Sequence, residues 1–315
     1  MNEANTLNIH SAQEGLEFLK QNGYVIFENV LSDEDLQKFS SAYDDIMAYE
    51  RDHPFDPGDG PPSADDEAMA KYLVGAYKID DDELARVMKR IRHTRAENHD
   101  TPWPVSAEKV SHSFLQMPLV SKGGSQRSYN LPAKLAACDR LMEHPIILKL
   151  MGNLLEEDFV ISDFSANSIA PQSGTSYWHI DSPFTMVPEP VPKMPLAIQV
   201  GWLIDDFKVE NGSTVVVPGT HTSGKKPPWT YDSLEDEVAL TGPAGSLVFW
   251  FSQVWHRAGN NTTDRPRRAI LGNYIRSWIK PLSDFTRSIP TEVLQSYSPR
   301  LRYLLGWSAF GPRRG

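Results

Sequence analysis

From residue 158 to residue 279 the chain is a succession of short β-forming runs broken by turn signals, and this pattern leaves few folds open. The runs read FVISDF, SYWHI, LAIQVGWLI, STVVVP, SLVFWF and RAILGNYI, and Asn211-Gly212 and Pro218-Gly219 mark two of the breaks. β-Branched and aromatic residues suit a pleated, half-buried surface, whereas Asn-Gly and Pro-Gly suit tight turns. Several short strands at this spacing predict an all-β sandwich or barrel.

The first half reads differently. Residues 12–22 carry apolar positions at helical spacing, with Gly23 placed to stop the helix. YVIF at 24–27 reads as a strand. Ser32 is placed to cap the amphipathic run that follows, and Glu34 and Asp35 favour a helix N-terminus. Residues 51–68 combine proline, glycine and acid and predict an irregular loop. The mixed charge of 69–101 fits a solvated helical face or, alternatively, a lid over an active site. Residues 131–155 again read as helical. The expected organisation is a single domain over 1–315. Its parts are a mostly helical 1–157 with a variable acidic loop, a β core over 158–280 and a C-terminal extension over 281–315.

Composition narrows the function classes. The net charge is −10 over 315 residues, which argues against nucleic acid or an anionic membrane as the main partner. The single cysteine, Cys138, rules out an intramolecular disulfide and any multi-cysteine zinc or iron–sulfur site. No apolar run approaches the ~18 residues of a membrane span. The polar start lacks a signal-peptide layout, so the expectation is a soluble cytoplasmic protein.

The chemistry concentrates in SYWHIDSPF. If 176–181 is a strand, His179 and Asp181 stand two residues apart on one face, as two ligands of a divalent metal would. A bare H-x-D also arises by chance, as a surface His–Asp pair at a strand end. The run GSLVFWFSQVWH, at 245–256, ends in a second histidine, His256, and Arg267 and Arg268 open the strand beyond it. A hairpin would bring His256 and one of these arginines to one end of a sheet. Two histidines and one carboxylate leave three octahedral positions open, the facial triad of non-haem Fe(II) oxygenases. An inward arginine is costly unless it meets an anion, and its planar fork suits a carboxylate. Together these residues would serve a 2-oxo-acid cosubstrate.

Four stretches resemble the phytanoyl-CoA dioxygenase family of Fe(II)/2-oxoglutarate-dependent oxygenases. They are NGYVIFENVLSDEDLQKF (22–39), HID (179–181), ENGSTVVVPGTH (210–221) and HRAGNNTTDRPRR (256–268). The resemblance implies a double-stranded β-helix (jelly-roll) core with flanking N-terminal helices. It implies His179, Asp181 and His256 as the Fe(II) ligands. It also implies Arg267, eleven residues after His256, as the partner of 2-oxoglutarate, and Thr214 as a helper there. Thr214 is equally well read as an ordinary β-former. Alternation along the strand separates Arg267 from Arg268, because the two side chains lie on opposite faces. One position departs from the pattern: Ala258 stands where many members carry serine. Asp181 speaks against the halogenating relatives, which lack that carboxylate.

The implied activity uses O2 and 2-oxoglutarate to hydroxylate an unactivated C–H bond of a small organic molecule, with release of succinate and CO2. Two rivals stay open. One is the same iron chemistry ending in desaturation, epoxidation or rearrangement; the other is a metal-binding β-barrel without turnover. His221 is a rival third ligand. Gln199, inside an apolar run, needs partners if buried and is a candidate pocket residue. Tyr177 is a candidate contact for substrate or cosubstrate, while Trp178, Trp202, Trp250 and Trp255 read as core aromatics. The remaining histidines considered, His53, His93, His99 and His112, read as ordinary exposed or helix-associated residues. Oligomeric state is not legible.

Overall fold

The computed structural model describes residues 2–3, 11–52, 66–77, 80–97, 119–120, 125–283, 285–289 and 291–307. These fall into two compact units, 1–49 with 120–315, and 50–119. In the smaller unit, helices α3 (Asp66–Tyr77) and α4 (Asp81–Glu97) bury Met69, Leu73, Val87 and Met88. Most of the loop expected over 51–68 lies outside the described residues, as do His53, His99, His112 and the side chain of His93. Its margins are helical: Arg51 and Asp52 end α2, and Asp66 begins α3.

The larger unit begins as its local signals predict. Helix α1 (Ala12–Asn22) ends at Gly23, whose φ of 89° is the left-handed conformation that favours glycine; its N–H meets the Leu19 carbonyl. Strand β2 (Tyr24–Phe27) follows, then α2 (Asp33–Asp52). The Ser32 hydroxyl accepts the Asp35 N–H at 3.1 Å, so Ser32 does cap that helix. The helices Pro145–Leu155 and Pro299–Leu304 add to the helical layer.

Among the described residues eleven strands carry the fold: β1 (Asn2–Glu3), β2, β3 (Leu119–Val120), β4 (Gln126–Ser128), β5 (Val160–Ile169), β6 (Ala197–Leu203), β7 (Thr214–Val217), β8 (Val238–Ala239), β9 (Leu247–Phe251), β10 (Trp255–Ala258) and β11 (Arg267–Ile275). They form a seven-stranded sheet, in the order β2-β9-β6-β11-β5-β4-β3, and a four-stranded sheet, β1-β8-β7-β10. Strand β1 pairs with β8 in parallel, and β10–β7, β11–β5, β11–β6, β2–β9, β4–β5, β6–β9 and β7–β8 are antiparallel. This is a mainly antiparallel two-sheet core with flanking helices, consistent with a double-stranded β-helix.

Alternation sorts the large sheet into two faces. Leu247, Phe249, Phe251, Ile198, Val200, Trp202, Ile270 and Tyr274 pack outward with α1, α2 and the other helices. Val248, Trp250, Leu203 and Ala269 face inward with Val216 of the small sheet. Each buried side chain of this size contributes about 1.5–3 kcal/mol. Among the inward positions stand polar ones, Asp163, Ser165 and Asn167 on β5, Gln199 on β6 and Arg267 and Asn273 on β11, which mark that face as more than a core.

Two local expectations need correction. Residues 245–256 do not form one strand: Ser252–Val254 turn, with the Val254 N–H on the Phe251 carbonyl, and β9 and β10 enter different sheets. His256 and Arg267 therefore do not share a hairpin. β10 pairs with β7, whereas β11 lies between β5 and β6. The physical reason is that closing two sheets over one core sends successive strands across the gap rather than back along their neighbour.

Candidate metal centre

His179 and Asp181 lie on an irregular extended segment, not on the expected strand over 176–181. His179 makes a two-bond antiparallel bridge with His256, at 3.0 Å in each direction. Ser176 pairs with Ala258, so three steps on one chain face two on the other. That is a bulge, a device that re-aims side chains beside functional sites. Asp181 is pinned by its N–H on the Ser252 carbonyl at 2.8 Å.

The three side chains converge. Among the described residues, His179, Asp181 and His256 are the group whose ligand atoms all lie within 4.8 Å of one another. Both imidazoles are oriented by backbone: His179 Nδ1 meets the Tyr177 carbonyl at 3.0 Å, and His256 Nδ1 meets the Val254 carbonyl at 2.9 Å. A carbonyl only accepts, so each Nδ1 carries the hydrogen and each neutral ring keeps its Nε2 lone pair free for a metal. His256 Nε2 lies 3.1 Å from Asp181 Oδ2, and His179 Nε2 lies 4.0 Å from Oδ1.

Electrostatics follow the packing. Burial, reinforced by the neighbouring His256, pushes the His179 imidazole down to about 4. Burial also opposes ionisation of Asp181, but His256, His179 and the Gln199 amide outweigh it and hold the carboxyl low. At His256 burial is outweighed by Asp181, which raises its affinity for a proton. A divalent cation competes with that proton for the same lone pair.

Gln199 on β6 donates its Nε2 to Asp181 Oδ2 at 2.8 Å. It is thus attached to the carboxylate itself, a sharper position than the pocket lining considered from sequence. From Gln199 a polar row crosses the inner face. Asn273 of β11 stands opposite Gln199, Asp163 of β5 stands opposite Asn273, and Arg127 of β4 reaches Asp163 Oδ2 at 2.7 Å. Sequence reasoning missed Arg127 and Asp163. The available signal was the polar alternation Asp163, Ser165, Asn167 along β5. Gln199→Leu is expected to weaken divalent-metal affinity roughly 10–100-fold, the usual effect of losing a partner of a metal ligand. Anaerobic Fe(II) titration measures it, and wild-type affinity would show that the amide does not orient the carboxylate.

The two arginines separate as alternation requires. Arg268 faces the helices: its Nη2 and Nε meet Asp205, and its Nη1 meets Ser40 and Asp44 of α2. The Asp205 hydrogen bonds, then Asp44, hold its charge firmly. Arg267 faces inward at 3% exposure, with its guanidinium 4.2 Å above the Phe207 ring. It meets no carboxylate at ion-pair distance among the described residues, and its buried Nε has no hydrogen-bond partner. Burial pushes it down to about 10. Arg268→Ala is expected to lower stability by about 1–3 kcal/mol through lost charged hydrogen bonds, as read by urea unfolding, and to leave 2-oxoglutarate affinity within two-fold. A tenfold loss of that affinity would exchange the roles of the two arginines.

Thr214 opens β7 opposite Ala258 and so shares the face of His256. His221 is set apart from the centre: it stacks on Phe251 at 4.9 Å and its Nε2 meets the Lys20 carbonyl, tying down the end of α1. Trp178, Trp202 and Trp250 are buried as core aromatics.

A sequence model of phytanoyl-CoA dioxygenase (PhyH) matches residues 19–269, most of the chain. The chain belongs to the phytanoyl-CoA dioxygenase family. A relative described as dioxygenase af480 of Aspergillus fumigatus is 29% identical over 193 residues, covering 59% of this chain and 60% of that protein. The match thus spans about 60% of the relative's length. Two solved structures share the fold. The epimerase SnoN, crystallised with Fe3+, alpha ketoglutarate and nogalamycin RO, aligns with TM-score 0.53 at 16% identity over 96% of this chain and 94% of its own. EctD from S. alaskensis with bound Fe aligns with TM-score 0.55 at 16% identity over 89% and 82%. His179, Asp181 and His256, three of the residues that the resemblance implies, are the ones that converge in space.

Proposed function

We propose that this chain is an Fe(II)- and 2-oxoglutarate-dependent dioxygenase that hydroxylates an unactivated C–H bond of a small organic substrate. The observation that carries the reading is the convergence of His179, Asp181 and His256, together with an inward Arg267 that meets no carboxylate at ion-pair distance among the described residues. The donor set fits ferrous iron: two neutral imidazoles and one carboxylate, with positions left open. The orphaned Arg267 guanidinium fits the distal carboxylate of 2-oxoglutarate, and Thr214, on the face of His256, stands where it would assist. Fe(II) bound here with 2-oxoglutarate and O2 supplies the oxidising chemistry, yielding succinate and CO2.

The protein's own residues do the positioning. His179 and His256 present Nε2 because backbone carbonyls hold their Nδ1 hydrogens. Gln199 keeps Asp181 oriented, and Phe207 covers the Arg267 guanidinium, strengthening its attraction for a carboxylate in a water-poor site. The reading of 1–315 as one oxygenase domain belongs to the same proposal, supported by a family match that runs through 50–119. So does a cytoplasmic setting, in which the buried free Cys138 needs no oxidising compartment.

The test is succinate release by purified protein supplied with Fe(II), ascorbate, 2-oxoglutarate and a panel of small metabolites. Substrate-stimulated succinate with an oxygenated product supports the reading. Tight Fe(II) binding without 2-oxoglutarate binding would replace it with a metal-binding barrel lacking turnover.

A further inference from the structure

Three exposed aromatic side chains gather beside the centre. Trp229 is 78% exposed, Tyr231 59% and Tyr177 37%. Single exposed aromatics need no explanation, but a contiguous group marks a binding surface. The Trp229 and Tyr177 rings lie 4.2 Å apart and tilted by 30°, Tyr231 stands edge-on to Tyr177 at 6.3 Å, and Tyr177 meets the His179 ring at 5.6 Å. The centre opens on this side: side-chain exposure rises from 6% at His256 through 25% at Asp181 to 32% at His179.

The segment that presents these rings is held rigidly. Arg257, next to His256 but on the opposite face of β10, donates to the Tyr231 carbonyl at 2.6 Å and to that of Asp232 at 3.3 Å. Trp178 donates its backbone N–H to Thr230 and its Nε1 to Asp232. Arg257 is buried and ion-paired with buried Glu237 at 2.9 Å. Burying such a pair is costly, and here it fixes a surface segment whose tips are apolar rings.

We propose that Tyr177, Trp229 and Tyr231 form a preorganised stacking rim for the substrate, and that this substrate carries a flat, largely apolar ring system. The proposal rests on the oxygenase reading and names its substrate class. A ring lying on Trp229 continues past Tyr177 toward the open side of the centre. A short aliphatic acid or free amino acid leaves the rim unused. Aromatic stacking adds affinity beyond the area it buries, and preorganisation spares the ordering cost.

The test uses the full chain loaded with Fe(II) and 2-oxoglutarate without oxygen, titrated calorimetrically with anthraquinone-2-sulfonate and with decanoate. The fused-ring probe is expected to bind at least tenfold more tightly than decanoate. Trp229→Ala should weaken it about tenfold, Trp229→Phe should restore most of that loss, and decanoate should be indifferent to both. Since Trp229 is a surface residue, its replacement leaves the core intact, and Fe(II) and 2-oxoglutarate titrations on the same samples verify this. Equal affinity for the two probes, or a fused-ring affinity within twofold after Trp229→Ala, overturns the rim while leaving the oxygenase reading in place. A wild-type chain that takes up neither Fe(II) nor 2-oxoglutarate overturns both.

Discussion

His179→Ala is expected to remove most of the Fe(II) affinity and to reduce succinate formation to background while leaving the chain folded. The His179 ring is partly exposed and its removal opens no core cavity. It takes away one of three ligand atoms that lie within 4.8 Å. Loss of a mere supporting partner lowers metal affinity by about 10–100-fold, so loss of a ligand should exceed that range. Anaerobic Fe(II) titration measures the affinity, and thermal unfolding of the metal-free variant verifies the fold. Wild-type Fe(II) binding in this variant would take His179 out of the ligand set. His256→Ala is a less clean experiment, because the His256 ring is buried and its Nδ1 hydrogen bonds the Val254 carbonyl, so its loss also opens a cavity and strips that carbonyl of its partner.

Arg267→Met is expected to separate stability from function in opposite directions. The buried guanidinium stacks on Phe207 and lacks a counter-charge among the described residues. Its downward shift to about 10 has a definite sign. Between that value and its higher ordinary one the unfolded chain binds more protons than the folded one, so stability rises with pH there. Below about pH 10 the penalty is fully present, including at neutral pH. Methionine fills similar volume without charge, so the ligand-free variant should melt a few degrees higher than the wild type. The same change deprives 2-oxoglutarate of a buried ionic partner and should raise its apparent Kd about 10²–10³-fold. Thermal unfolding and 2-oxoglutarate calorimetry on the two proteins measure both effects. A lower melting temperature would mean that the guanidinium is already satisfied in the free protein, and an unchanged Kd would remove it from the cosubstrate site.

The polar positions of the inner face illustrate how such a site stays partly hidden in a sequence. Asp163 is one acid among many until β4 brings Arg127 to it and β11 sets Asn273 between it and Gln199. Trp229 is one of eight tryptophans, and nothing adjacent to it signals that Arg257 and Trp178 hold its segment against the centre.

What the sequence determined by itself is local. The stop at Gly23, the cap at Ser32, the turns at Asn211-Gly212 and Pro218-Gly219, and the opposite faces of Arg267 and Arg268 all follow from backbone sterics and from the two-residue period of a strand. His179 and Asp181 are likewise close by chain geometry alone. The tertiary structure decided the rest. It placed His256 across a bulged bridge from His179, put β10 and β11 in separate sheets and turned Arg267 inward without an ion-pair partner among the described residues. Those outcomes depend on how two sheets close over a shared interior, and the contacts that select that closure join residues far apart in the chain.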